Sequence, residues 1–231
     1  MATIYAHTND GYVARFNQSS WSNARATTAG TSANSTATRS SSAVSAYKST
    51  SRGGATLYTI IRSFFFFDTS GISTDVDSAT FKVYGFSQNS GDIIAVKSKI
   101  DIEFLGTGDF ASILGWNTTT DGSGGGDNES NVTKYSEGDG LGETGEITTW
   151  NASGYNDITL NAQALADMRD DDKVYICLIN FDQDLKDIEP TGSNKNGIYY
   201  TNYTGTSRDP YIDYELAPTA TDNSIFFGTN F

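Results

Sequence analysis

The side chains that most often perform enzyme chemistry are scarce in this sequence. The chain has one histidine, His7, and one cysteine, Cys177. A nucleophile with a histidine base, or a zinc site built from several histidine or cysteine ligands, would need more of these residues. The sequence also lacks a Gly-x-Ser-x-Gly elbow, a phosphate-binding loop and a His-Glu-x-x-His motif. We therefore predict a protein without catalytic residues.

Carboxylates are the remaining class of reactive side chain. A glycoside hydrolase needs two of them placed across one glycosidic bond. Glu103, Glu143, Glu146 and Asp157 are available, but any acidic protein supplies such pairs. A polymer-degrading enzyme is therefore the weakest of the functional hypotheses that the sequence leaves open.

A glycine-rich loop offers oxygen ligands for a hard cation. Asp121, Asp127 and Glu129 lie within a stretch of nine residues, and Ca²⁺ prefers carboxylates on flexible loops. The spacing does not fit the twelve-residue EF-hand loop. A second acidic group, at Asp167 and 170–172, has a simpler interpretation as the hydrated end of a helix. Calcium is the one cofactor that the sequence raises, at Asp121, Asp127 and Glu129.

Aromatic side chains could form flat platforms for sugar rings. Trp116 and Trp150 are the main candidates, and Tyr199, Tyr200 and Tyr203 are further ones. The alternative is that the two tryptophans pin a long loop to the body of the protein.

Composition and charge narrow the classes of partner. The chain has 231 residues and a net charge of −13, which repels nucleic acid and anionic membranes, so we expect neither as a partner. Residues 1–62 carry six basic residues and one acidic residue, and this basic front could lie on the acidic body of another copy. The N-terminus lacks the pattern of a secretory signal, and no apolar run is long enough to span a membrane.

Periodicity predicts strands almost throughout. The run 57–67 is nearly continuously apolar and fits a strand buried on both faces, while 78–86 alternates as a half-buried strand does. Asn161 can cap one short helix over 161–168. Three further strands are predicted at Lys173–Asp182, Gly197–Tyr203 and Pro210–Leu216. The expected fold is an all-β antiparallel sandwich of jelly-roll type, with one short helix and long loops.

The predicted organisation has three parts. Residues 1–54 form an N-terminal strand and a Ser/Thr-rich arm, residues 55–216 form the sandwich, and residues 217–231 form a C-terminal tail. The arm has few large apolar residues, so we expect it to be ordered only against its own body or a neighbour. The residues expected to dock onto partners are Phe226, Phe227 and Phe231 of the tail and Arg25 and Arg39 of the front.

The body of the chain resembles a known family. The order of Arg62-Ser63, Phe67-Asp68-Thr69-Ser70, Ile72 and Ser78–Tyr84, followed by Trp150, 158–165 and Pro210–Tyr214, is similar to that of DNRLRE-type domains. These are jelly-roll modules related to carbohydrate-binding sandwiches, and the resemblance covers about residues 55–216. It implies a surface, adhesive or virion role, and the arm and tail are additions to the module.

These features together suggest a non-enzymatic virion protein of a tailed phage. It would be a capsid decoration or cement protein, or a tail or fibre component, made in the host cytoplasm without a signal peptide. Its expected partners are other virion proteins and further copies of itself, with a host surface glycan as an additional partner. The alternative is a carbohydrate-binding or adhesive surface module.

Overall fold

A computed structural model describes residues 1–99, 104–117 and 128–218, and these ranges are mostly antiparallel β-sheet. The strands are β1 (Ala2–Tyr5), β2 (Gly11–Gln18), β3 (Ser32–Asn34), β4 (Arg39–Thr50), β5 (Thr56–Asp68), β6 (Val76–Asn89), β7 (Ile93–Lys97), β8 (Glu146–Ile147), β9 (Tyr155–Thr159), β10 (Lys173–Asn180), β11 (Ser193–Tyr199) and β12 (Tyr211–Leu216). The helices are α1 (Trp21–Arg25), α2 (Asn128–Asn131) and α3 (Ala162–Asp170), with a 3₁₀ helix at Thr107–Ala111 and a π-helical turn at Phe181–Leu185. The prediction of an all-β antiparallel fold is confirmed.

The strands form one continuous hydrogen-bonded path that folds into a sandwich-like sheet. The order along the path is β1-β12-β6-β11-β4-β5-β10-β7-β8. Three strands join from the side: β9 pairs with β6, β2 pairs with β5, and β3 pairs with β2. The long strand β6 links the two parts, because its first half pairs with β12 and β9 and its second half pairs with β11.

Two apolar clusters hold the sheet together, one on each face of β5 and β10. Phe65, Phe67 and Ile176 belong to the cluster inside the sandwich, and Phe64, Phe66 and Cys177 belong to the cluster on the opposite face. The segment 104–116, α1 and the π-helical turn cover that second cluster. The apolar run that predicted a strand buried on both faces is therefore β5.

The Ser/Thr-rich segment is part of the sheet, which corrects the expectation of an arm. Strand β4 lies between β5 and β11 and bonds to both. Its middle residues, Ala43, Val44, Ser45 and Ala46, are buried. These small side chains give the segment little hydrophobic periodicity. It forms a strand because β5 and β11 bond to its two edges, so it needs no large apolar residues of its own.

The predicted helix is confirmed as α3. The Asn161 side chain accepts a hydrogen bond from the backbone of Ala164, which is the expected cap. The fold nevertheless contains further short helices, so a single helix was too few. None of the described helices is both long and apolar enough to span a membrane.

A buried ion pair ties the second cluster together. The Arg62 guanidinium donates to both carboxylate oxygens of Asp184, each at 2.7 Å, and both side chains are fully buried. Arg62 also donates to the Phe110 carbonyl at 2.6 Å. Its charge lies 4.1 Å from the Phe110 ring centre and 4.0 Å from that of Trp116. One arginine thus joins β5, the 3₁₀ helix and the π-helical turn.

Candidate functional site: an aromatic row on the outer sheet face

A continuous series of rings crosses the outer face of the sheet, at right angles to the strands. We call it the aromatic row. Its rings are Tyr5, Tyr84, Phe86, Tyr155, Tyr199, Tyr203 and Tyr211, and the guanidinium groups of Arg39 and Arg208 lie over it.

Strand alternation places these rings on one face. In β6, Val83 and Gly85 point into the core, so Tyr84 and Phe86 point outward. The register then brings side chains of neighbouring strands beside them. Tyr155 of β9 pairs with Tyr84, Tyr5 of β1 pairs with Tyr211 of β12, and Tyr199 of β11 pairs with Arg39 of β4.

The rings are in direct contact from one end of the row to the other. The ring centroids of Tyr5 and Tyr211 are 5.7 Å apart. Those of Tyr211 and Tyr155 are 5.1 Å apart, and those of Tyr155 and Tyr84 are also 5.1 Å apart. Tyr84 lies 5.6 Å from Tyr199. Tyr199 in turn lies 5.0 Å from Phe86 and 4.5 Å from Tyr203. Most of these pairs meet edge to face, a favoured geometry that fixes each ring through its neighbours.

Two arginines lie on the row. The Arg208 guanidinium lies 5.2 Å from the Tyr84 centroid, 4.7 Å from Tyr199 and 5.3 Å from Tyr203. Arg39 is exposed and lies 5.5 Å from Phe86. Within residues 1–99, 104–117 and 128–218, neither arginine forms an ion pair with a carboxylate.

The row is half exposed and anchored from beneath. Tyr199 is buried at its centre, whereas Tyr5 at its end is 53% exposed. The Tyr84 hydroxyl donates to the Ser153 carbonyl at 2.9 Å, and the Tyr155 hydroxyl donates to the Asp209 carbonyl at 3.2 Å. Burial, followed by the neighbouring Tyr211 and Asp209, raises the pKa of Tyr155 to about 12. The Tyr155 hydroxyl group is therefore protonated at physiological pH.

An open cleft of about 470 Å³ adjoins the row at Tyr155. It is lined by Asp139, Ile147, Thr149, Trp150, Asn151, Tyr155, Asn156 and Asp157. The Trp150 ring is almost fully buried, and its indole N–H has no hydrogen-bond partner among the described residues. The cleft thus extends the row with polar side chains and carboxylates.

Replacing Gly85 with alanine is expected to loosen this part of the row, at a cost of about 2 kcal/mol in unfolding free energy. An added Cβ would lie 2.2 Å from the Asn151 carbonyl oxygen, so the loop carrying Trp150 must move away from β6. Denaturant unfolding measures the cost. Gly71→Ala is the matched control, because a Cβ there meets open space. Equal stability of the two variants would contradict this packing.

The two tryptophans predicted to stack on sugars are not surface platforms. Trp116 is buried against the Arg62 guanidinium, and Trp150 is buried in the cluster inside the sandwich, beside Gly85 of β6. The alternative interpretation, that they pin loops to the body, fits their positions. Of the predicted tyrosines, Tyr200 is buried in the core, whereas Tyr199 and Tyr203 belong to the row.

The predicted docking residues also differ in where they lie. Arg25 is buried and donates to the carbonyl oxygens of Asp184 and Leu185, so it offers no surface to a partner. Burial lowers the pKa of its guanidinium, which the nearby Asp184 and Asp187 partly offset. Arg39 is exposed and lies on the row. Phe226, Phe227 and Phe231 lie outside the described residues.

Sequence reasoning missed most of the row. Tyr5, Tyr84, Phe86, Tyr155, Tyr211 and Arg208 were not predicted as site residues. The alternation of Val83, Tyr84, Gly85 and Phe86 does indicate that two rings share one face. The sequence contains no comparable signal for which strands lie beside β6.

Apart from the predicted calcium residues, three carboxylates among the described residues form a group that could hold a cation. Asp92, Glu146 and Asp182 each offer an oxygen, and these oxygens lie within 4.8 Å of one another. They come from the residue before β7, the start of β8 and the π-helical turn. The predicted calcium residues Asp121 and Asp127 lie outside the described residues. Glu129 is described, in α2, and is not in this group.

Burial and the repulsion from neighbouring carboxylates both disfavour the ionised form of Asp92. Burial, followed by the charges of Glu146, Asp182 and Asp139, raises the pKa of Asp92 to about 6. At pH 7 the Asp92 carboxyl group is therefore ionised in the folded protein, although its surroundings favour the protonated form. A carboxyl group whose pKa is raised in the folded state contributes less and less to the stability of the protein as the pH increases towards that pKa.

Substituting Asp92 with asparagine is therefore expected to raise the unfolding free energy at pH 7 by about 1 kcal/mol, and by less at pH 5. Urea unfolding in the presence of a chelator measures this change, with Asp77→Asn at an exposed position as the charge-matched control. A loss of stability at pH 7 would refute the repulsion. Repeating the series with calcium chloride separates repulsion from ion binding, because an ion-bound group would be weakened by the same substitution.

The lone cysteine and the lone histidine lie away from the row. Cys177 is buried on β10, and burial raises the pKa of its thiol well above the usual value. This keeps the thiol protonated, so it packs as a small apolar side chain. His7 is exposed and accepts a hydrogen bond from the Asn9 backbone at 3.2 Å.

The site therefore consists of an aromatic row with two arginines, a cleft beside it and a separate acidic group. Comparison with known proteins adds no family to this description. The sequence matches no family model and no curated protein.

Proposed function

We propose that this chain is a non-enzymatic structural protein of a tailed-phage virion, either a capsid decoration or cement protein or a tail or fibre component. In this proposal the C-terminal segment attaches the chain to its neighbours in the particle. The aromatic row faces outward and binds sugar on the host surface.

The aromatic row is the observation that carries the binding part of the proposal. Tyrosine and arginine are the residues most enriched at the energetic centres of binding surfaces. Seven rings in one contact series, held by their neighbours and by hydroxyl groups bonded to the backbone, lose little conformational freedom when a ligand binds. Such rings offer stacking surface, and the row itself contains no nucleophile beside a base.

The virion part of the proposal is supported by the sequence. Residues 55–216 resemble DNRLRE-type modules, which serve in virions and on bacterial surfaces. The aromatic residues Phe226, Phe227 and Phe231 supply apolar anchors for a neighbouring subunit. The Ser/Thr-rich segment was also expected to contact neighbouring subunits, and its strand β4 pairs with β5 and β11 of the same chain.

Deleting residues 217–231 tests the attachment. We expect the shortened chain to keep its far-ultraviolet circular dichroism and its cooperative unfolding, but to be lost from purified particles. A matched chain with Tyr5→Ala in the row should still be incorporated. Normal incorporation of the shortened chain would overturn this role of the tail.

The second candidate function is an adhesive or carbohydrate-binding surface module outside any virion. The same row supports it, because sugar binding does not require a particle. The two candidates differ in where the protein is found: a virion component sediments with particles, and a surface module sediments with cells.

A further inference from the structure

We infer that the aromatic row binds sugar chains that carry carboxylate groups, with Arg39 and Arg208 as the residues that recognise the carboxylates. This inference rests on the proposed function, in which the row binds sugar, and it names the chemical class of that sugar.

The pairing of the cations supports this inference. Lys82 lies on the same face as the row, and its ammonium group pairs with Asp157 at 2.8 Å. Arg39 and Arg208 differ, because their closest polar side-chain contacts are tyrosine hydroxyls, at 3.5 Å from Arg39 to Tyr199 and 3.4 Å from Arg208 to Tyr203. Neither row arginine has a carboxylate partner among the described residues, so each guanidinium group remains available to pair with a carboxylate of a ligand.

The arrangement of the guanidinium groups fits a planar anion. The Arg208 guanidinium group lies 4.7–5.3 Å from the centres of three rings, and part of the side chain faces solvent. A guanidinium group in this position can donate two parallel hydrogen bonds to a carboxylate, and it retains its contact with the rings. Arg39 is exposed beside Phe86, so the two guanidinium groups sit along the same stretch of the row as Tyr84 and Tyr199.

The overall charge limits how many anionic groups the ligand carries. A net charge of −13 repels a densely charged polyanion. The exposed Asp157 and the acidic side chains of the adjoining cleft add to this repulsion. A chain of mostly uncharged sugar surface with a carboxylate at intervals satisfies both the rings and the arginines. The rings contact the apolar faces of the sugars, and each guanidinium group takes one carboxylate.

Affinity measurements on the full chain test this inference. The probes are hyaluronan, gellan and xanthan, each used beside its own carboxyl-reduced form, in which the carboxylates have become alcohols. We expect at least one native polysaccharide to bind, with its reduced form binding at least tenfold more weakly. The Arg39→Gln/Arg208→Gln double variant should also lose at least tenfold in affinity for the native form.

The single variants Arg39→Gln and Arg208→Gln should each weaken binding of the native form as well, and Arg52→Gln is the matched control for each of them. Arg52 is exposed in the turn between β4 and β5, away from the row, and its substitution changes the net charge by the same amount. It should leave binding unchanged. Thermal unfolding of every variant shows whether the fold is intact.

The other outcomes separate the inference from the proposed function. Equal binding of the native and reduced polysaccharides would overturn the carboxylate inference and leave sugar binding by the row standing. No binding to either form would overturn both. If light scattering shows a dimer that the double arginine variant converts to a monomer, the row is an interface between copies of this chain, which would also overturn the inference.

Discussion

Substituting Arg62 with methionine is expected to lower the unfolding free energy by about 3–5 kcal/mol. The substitution leaves the Asp184 carboxylate fully buried without the two hydrogen bonds that Arg62 supplies, and it leaves the Phe110 carbonyl without a side-chain donor. The Arg25 guanidinium group also interacts electrostatically with Asp184, but it donates to backbone carbonyl groups of the π-helical turn and pairs with Asp187, so it does not replace these hydrogen bonds. The uncompensated charge of Asp184 therefore accounts for most of the cost.

Two comparison variants isolate that cost. Arg62→Met/Asp184→Leu removes both charges, so it should be more stable than Arg62→Met alone. Arg169→Met removes an exposed arginine that pairs with Asp75 and Asp170 on the surface, and it should change the unfolding midpoint only slightly. The account fails if Arg62→Met is no less stable than Arg169→Met in denaturant unfolding.

The ionisation of Asp10 is expected to lower the unfolding free energy of the native chain by about 4 kcal/mol between pH 4 and pH 8, and replacing Asp10 with asparagine should abolish this decrease. Asp10 is fully buried, and its Oδ2 accepts one hydrogen bond from the Thr201 backbone at 3.1 Å. Its Oδ1 has no partner among the described residues. Burial raises the pKa of this carboxyl to about 7, the hydrogen bonds to Thr201 lower it, and the charge of Asp209 adds a smaller increase.

The sign of the effect follows from the two pKa values. In the unfolded chain the carboxyl ionises near its ordinary value, and in the folded protein it ionises near 7. The folded state therefore binds more protons between these values. Its contribution to stability is fully present at pH values below the unfolded pKa and is lost as the pH rises to about 7. An asparagine keeps the acceptor for Thr201 and cannot ionise.

Unfolding by urea at pH 5, 6, 7 and 8 measures this difference. The stability of the Asp10→Asn variant relative to the native chain should rise from pH 5 to about pH 7 and level off above it. Asp77→Asn, at an exposed position, should give a nearly constant difference. Parallel pH curves for the two variants would contradict the burial of an ionisable Asp10.

The parts of the fold that could be predicted from sequence are those whose own residues carry a strong signal. The apolar run 57–67 indicated a fully buried strand, and it lies within β5. Asn161 indicated a helix start, and α3 begins at the next residue. In both cases the local pattern and the tertiary environment favour the same structure.

The elements that were missed depend on their neighbours. Strand β4 has the composition of a flexible segment, and it becomes a strand because β5 and β11 bond to its two edges. Strand β11 was predicted at 197–203, yet it occupies Ser193–Tyr199. Its first four residues are polar, and pairing with β4 and β6 stabilises them without any apolar alternation.

The same reasoning explains why the site was only partly predicted. Tyr199, Tyr203 and Arg39 were recognised as surface candidates because of their residue types. Their assembly into a row requires β1, β12, β6, β11 and β4 to lie side by side, and that order depends on long-range pairing. The tryptophans were candidates for sugar platforms because of their large rings, with the pinning of a loop to the body as the alternative, and both rings are buried.

The most direct test of the proposed virion role is to find where the chain resides. Particles should be purified on a density gradient from a culture that produces the chain from its own genome, and each fraction analysed by quantitative mass spectrometry. The account predicts that the chain sediments with the major capsid protein in a constant ratio across the particle peak. A chain that stays at the top of the gradient, in fractions without particles, would contradict it.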